Sequence, residues 1–200
     1  MGLFAELLAS PGVREECELQ GRFGFMAFHG GNLEVGTDAI ARDAALRSGA
    51  SYYGVIQPLD LRWHVPSIAV TPDESPMLAL FLAHVDVVVA IHGYGRDNYW
   101  TTLLLGGTNR PLATALANAL RKTLPDYTHV DELDDIPAEL SGQHARNPCN
   151  LPRLGGVQVE LPPRIRGNTP HWSDWPGPGH PPPMESLIAT IAGVASQWCG

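Results

Sequence analysis

Hydrophobic and polar positions change period several times along this chain of 200 residues. Asp86 to Ile91 (Asp-Val-Val-Val-Ala-Ile) is a continuous apolar run after its first residue, the pattern of a strand covered on both faces. Residues 13–19 and 22–28 read as two strands joined through Gln20-Gly21, and 51–57, 100–105 and 156–161 as three more. Helical spacing predicts helices over 2–9, 37–48, 74–84, 111–123 and 184–197. Thr37 is the expected N-cap of the second, Gly49 lies just past its end, and Pro76 falls in the first turn of the third. Two stretches carry no period: a Pro-rich loop over 58–72 containing Trp63-His64, and a Pro/Gly/Trp loop over 162–183 containing Trp172 and Trp175.

Strands that alternate with helices predict one α/β domain over residues 1–200, with a mixed, mostly parallel central sheet flanked by helices. In such sheets functional groups gather at the carboxyl ends of the strands. Three chemically capable residues fall there: His29 before Gly30-Gly31, His92 before Gly93, and Glu160 near the end of its strand.

Composition narrows the classes. Hydrophobic residues make up 44% and charged residues 17%, values of a globular chain with a real core. A formal net charge of −8 argues against nonspecific nucleic-acid binding, which needs a positive field. No apolar run approaches the roughly 20 residues that span a bilayer. The start, MGLFAELLAS, lacks the basic region of a secretion signal, so the chain is expected in the cytoplasm as synthesised, with release by lysis if phage-encoded. Cys17, Cys149 and Cys199 match no cysteine zinc motif and are expected as reduced thiols. The pattern leaves the oligomeric state open.

A catalytic zinc takes three protein ligands and keeps one position open, and imidazole and carboxylate both suit it. His29 and Glu34 are separated by four residues, two of them glycines, which lets the chain fold back until both side chains converge. His92 would complete the site from a neighbouring strand end. Zinc acidifies water and polarises a carbonyl. A carboxylate off the metal must then move the proton, and Glu160 is the choice for that role.

These stretches resemble the poly-γ-glutamate hydrolase family of bacteriophages and bacteria. The resemblance lies in His29-Gly-Gly-Asn-Leu-Glu34-Val-Gly-Thr37, Leu61-Arg-Trp-His64-Val, His84-Val-Asp86 leading to His92-Gly-Tyr94, Leu105-Gly-Gly107, and Gly156-Val-Gln-Val-Glu160-Leu, over roughly residues 20–195. It implies a fold similar to zinc carboxypeptidases, one zinc per chain on His29, Glu34 and His92, Glu160 as general base, and cleavage of γ-glutamyl amide bonds. A polyanionic peptide or small amide is the implied substrate. Its carboxylates call for cations, and Arg62, Arg96, Arg110, Arg153, Arg164 and Arg166 are candidates. Of these, Arg62, Arg96, Arg164 and Arg166 are expected at the substrate, with Tyr94 donating to its carbonyl. His64 is expected to bind substrate or stabilise the oxyanion. Asp86 is a candidate to hold a histidine, and Asn150 to shape the rim. Two alternatives share the scaffold: a zinc deacylase or cell-wall amidase, and a noncatalytic binding protein. The intact set His29, Glu34, His92 and Glu160 argues against the last.

Overall fold

The computed structural model describes residues 2–167, 175 and 177–199. Seven strands form one sheet: β1 (Arg14–Glu18), β2 (Phe23–Gly31), β3 (Ser51–Gln57), β4 (Val87–Gly93), β5 (Thr102–Leu105), β6 (Thr128–Val130) and β7 (Gly156–Leu161). Their order is β1-β3-β2-β4-β7-β5-β6. The central strands β3, β2, β4 and β7 run parallel, while β1 and β5 are antiparallel to the neighbours through which they join the sheet. β1 and β2 are consecutive in sequence, but β3 lies between them. β6, three residues on the sheet edge, falls outside the sequence-based expectation because so short a run shows no period.

Strict alternation divides the core. Phe25 and Ala27 of β2, Val87, Val89 and Ile91 of β4, and Val157, Val159 and Leu161 of β7 face one side. Helices α2 (Thr37–Ser48), α4 (Arg110–Thr123) and α5 (Pro182–Gln197) cover it with Ile40, Leu116 and Ile188, among others. Met26 and Phe28, Tyr53 and Val55, and Val88 and Ala90 face the other side. There α1 (Leu3–Leu8) supplies Phe4 and Leu7, α3 (Pro76–His84) supplies Leu78 and Phe81, and the 58–72 loop adds Val65 and Val70. The expected α/β architecture is borne out.

The helix boundaries follow local chemistry. The Ser75 hydroxyl accepts from the Leu78 amide and Asn109 accepts from that of Leu112, each one residue before a helix with proline near its start. Thr37 is not the cap expected of it. Gly36, at φ +90°, holds that position, and the Thr37 hydroxyl instead donates to the Glu34 carbonyl at 2.8 Å. Gly49 closes the same helix at φ +70°, as expected. No helix among the described residues is long and apolar enough to cross a membrane. His171 and Trp172 of the second loop lie outside the described residues.

Candidate active site

β2, β4 and β7 deliver His29, His92 and Glu160 to one end of the sheet. By simple alternation His29 would point away from His92, toward α2. A bulge corrects this. β2 and β3 pair regularly up to Ala27–Gly54 and resume at Gly30–Ile56, three steps on β2 against two on β3. The extra residue brings Phe28 and His29 to the same face. The Phe28 ring then stands edge-on to both histidines, each 4.7 Å away between centroids, and the two imidazoles lie 5.0 Å apart.

Past the bulge the chain folds back. Gly31 adopts φ +69°, and a Cβ there would lie 2.2 Å from the Gln57 carbonyl oxygen, so the close pass requires glycine. The Glu34 amide donates to the His29 carbonyl at 3.0 Å, closing the loop. Glu34 Oε1 ends 2.9 Å from His29 Nδ1. Its Oε2 accepts from the Gly93 amide at 2.8 Å and lies 3.5 Å from His92 Nδ1.

His29 Nε2 sits 2.8 Å from the Val65 carbonyl, which can only accept, so that nitrogen carries the proton. In the neutral ring Nδ1 then turns a lone pair on a carboxylate oxygen 2.9 Å away. Two acceptors that close need a proton or a cation between them. Zinc–nitrogen and zinc–oxygen bonds of about 2.0–2.2 Å place neighbouring tetrahedral ligands roughly 3.4 Å apart, near the spacings found here. Carbonyl support of the distal nitrogen is the usual second contact of a metal-bound histidine. His64 approaches from the 58–72 loop, its ring 4.7 Å from that of His29. Ligand atoms of His29, Glu34 and His64 all lie within 4.8 Å of one another, so these three form a possible metal site, with His92 on the second oxygen of Glu34.

Electrostatics separates the acids. Burial works against the charge on Glu34, but His29 and His92 outweigh it and hold the carboxyl far below its ordinary range. Burial pushes His92 down, but Glu34 and Glu160 together leave it raised, while burial and the neighbouring His29 lower His64. Glu160 is 4% exposed and pairs in register with His92. Burial, reinforced by Glu34 and only partly offset by His92, raises its carboxyl to about 7.

These groups line one cleft of about 850 Å³. Arg62 lines it from the 58–72 loop. Arg166 also lines it but is 6% exposed and committed to backbone: Nε donates to Leu161, Nη1 to Val35 and Nη2 to Tyr94, at 3.1, 2.8 and 3.4 Å. It clamps the segments after β7, before α2 and after β4. Tyr94 borders the cleft, yet its hydroxyl lies 2.6 Å from the Thr102 carbonyl and 3.2 Å from that of Tyr99, so its one proton anchors the 94–102 segment and does not face a substrate. Arg96 pairs with Glu139. Arg164 does not line the cleft and lies within electrostatic reach of Tyr127. Arg110 donates to the carbonyls of Gly107 and Leu105. Asp86 lies at the opposite sheet end, between Arg22 and Arg153, and so holds no site histidine. Asn150 donates to the Gly142 and His144 carbonyls and so braces the cleft wall.

Two residues escaped the sequence reading. Asn147 Nδ2 donates to Gln158 Oε1 at 2.7 Å, and Gln158 Nε2 donates to Glu160 Oε1 at 2.8 Å. The signal was present: in Gly-Val-Gln-Val-Glu-Leu, period 2 puts Gln158 on the same face as Glu160.

Comparison with known proteins decides the family. The sequence model of the poly-gamma-glutamate hydrolase family matches residues 5–169. The chain belongs to the poly-gamma-glutamate hydrolase family. It is therefore a hydrolase, and the resemblance read from its motifs holds. The match begins earlier than the motifs do and stops before α5. Among solved structures, the chain is similar to a bacteriophage poly-gamma-glutamate hydrolase at TM-score 0.77 and 22% identity, covering 94% of this chain and 91% of that one. It is similar to YndL, described as a zinc-free apo form, at TM-score 0.75 and 20% identity, covering 92% and 90%. An Agrobacterium tumefaciens gene product follows at TM-score 0.53 and 13% identity, covering 90% and 89%. At these identities the likeness is one of fold. No curated protein matches the chain in sequence.

Proposed function

We propose that this chain is a zinc-dependent amide hydrolase that cleaves γ-glutamyl bonds. The supporting observation is the pair of imidazole nitrogens, His29 Nδ1 and His92 Nδ1, one on each oxygen of the Glu34 carboxylate, 2.9 and 3.5 Å away. In this reading His29, Glu34 and His92 hold the metal. His92 is preferred to His64 because it is buried in β4, whereas His64 is exposed on a loop and faces the open cleft. The choice of zinc is supported by the description of a fold neighbour as a zinc-free form.

Bound zinc supplies Lewis acidity toward a carbonyl and a lowered pKa for water. The chain supplies the rest. Glu160, ionised, takes a proton from the attacking water and delivers it to the leaving amine nitrogen. Gln158 and Asn147 keep its Oε1 in place. His64 donates to the substrate oxygen as charge develops there. The buried strand ends exclude bulk water on the side away from the cleft. The γ-glutamyl specificity comes from the family alone.

The test is purification without added metal, zinc analysis, and incubation with poly-γ-glutamate followed by size analysis. About one zinc per chain and a loss of polymer length are expected. A metal-free but active protein would refute the zinc assignment, and an unshortened polymer would refute the substrate.

A further inference from the structure

The chain has 13 Lys and Arg residues, and those outside the described set include none of them. Only two line the 850 Å³ cleft, Arg62 and Arg166. Arg166 is buried and spends its donors on three carbonyls. Arg62 is exposed and, among the described residues, has no hydrogen-bond or ion-pair partner. Residues 138–144 line another part of the cleft, and their one acid, Glu139, is paired with Arg96. The remaining side chains there are the Gln143 amide, the Ser141 hydroxyl, His144 and the apolar Ala138 and Leu140. The net charge of −8 on the whole chain opposes an approaching polyanion.

A groove built to follow a polyanion needs a row of cations, one near each bound charge. Apart from the zinc proposed above, this cleft offers one Lys or Arg free to pair. We propose that Arg62 reads a single α-carboxylate on a γ-glutamyl residue flanking the scissile amide, and that the cleft recognises that one unit and not a run of negative charges. The planar guanidinium can take one carboxylate through two parallel N–H···O bonds. The inference rests on the γ-glutamyl reading above and adds the substrate class within it: short γ-glutamyl peptides serve as well as long polymer.

The test separates binding from turnover. N-acetylated γ-linked glutamate oligomers of two, four and eight residues are titrated into zinc-loaded Glu160→Gln protein by calorimetry. Affinity should change less than about threefold across the series. On the same background Arg62→Ala should weaken the dimer by about 10- to 100-fold, the usual worth of a hydrogen bond to a charged group. Arg62→Lys should recover part of this, and the α-carboxamide dimer should bind Arg62 protein as weakly as the acid binds the alanine variant. Steady-state KM values for the same oligomers on protein retaining Glu160 give the same comparison should E160Q not fold. An affinity that climbs about tenfold with each doubling of length, or an Arg62→Ala effect within twofold, overturns the proposal. Polymer cleavage with Arg62-independent binding rejects this inference and leaves the hydrolase reading standing. Arg62-dependent binding by a protein that cleaves nothing does the reverse.

Discussion

Glu34 and Glu160 occupy the same cleft, both nearly inaccessible to water, yet their surroundings drive them apart. Glu34 arrives on a loop after β2 and meets two imidazoles and the Gly93 amide, so it stays ionised despite burial. Glu160 arrives on β7 and meets one side-chain amide and the like charge of Glu34, so burial prevails and its carboxyl rises to about 7. Two acids whose environments separate them in this way divide acid–base labour. One is suited to holding a cation permanently. The other is suited to gaining and losing a proton near neutrality.

Exchanging each acid for its amide tests this division most severely. Glu34→Gln should remove both the metal and the activity, because in the proposed reading the carboxylate is the centre of the ligand set. The same loss should follow chelation. A metal held at a thousand times its dissociation constant contributes about 4 kcal/mol, so the apo protein should melt on the order of 8–16 °C lower. Calorimetric melts with and without chelator check this, and unchanged melting would remove zinc from the fold's account. Glu160→Gln should instead retain zinc while kcat drops by about 10²- to 10⁴-fold. If both variants lose zinc equally, the comparison collapses.

A second contrast lies between the two remaining histidines. His92→Ala should empty the site, since in the proposed reading it removes a buried strand-borne ligand. His64→Ala should keep the metal and lower kcat by about 10²- to 10³-fold, the usual effect of losing one oxyanion donor. Zinc content per chain reads the difference directly. The opposite result would place the third ligand on the 58–72 loop and assign His92 to its support.

Most of the fold was legible because its central strands are long enough to show their period. Val87 to Ile91 announces a doubly covered strand by composition alone, and Gly49 marks the end of α2 by its backbone. Convergence of His29 on His92 was not derivable by counting. Alternation sends them to opposite faces, and only the extra residue between Ala27 and Gly30 unites them. That bulge depends on how β2 pairs with β3, a contact between segments distant in sequence. Substrate arginines were equally hard to read, because an arginine's task depends on what it meets. Arg166 meets three carbonyls and becomes a clamp, Arg96 meets Glu139, and Arg62 meets open cleft. Tyr94 shows the same limit: its position beside His92 suggested a donor to substrate, and its partner turned out to be the Thr102 carbonyl.

The smallest expected effect concerns how Glu160 is held. Its Oε1 accepts from Gln158 Nε2, and Gln158 is oriented in turn by Asn147 through a bond to its own carbonyl oxygen. Both bonds are buried, where a polar contact is stronger and a broken one costs more than in water. Gln158→Ala removes the contact to the proposed base and should lower kcat by about tenfold, with KM and zinc content unchanged. Gln158→Glu, nearly isosteric, replaces the donor with a like charge beside Glu160 and should be more damaging than alanine. Asn147→Ala leaves Gln158 held by the Leu140 carbonyl and Glu160 alone and should cost less, about threefold, because the amide can still reach the carboxylate. A merely structural role predicts a different ranking, with loss following melting temperature and not the charge placed beside Glu160. Measured together, kcat and melting temperature for the three variants show whether the β7 end of the cleft is tuned for proton transfer or only packed.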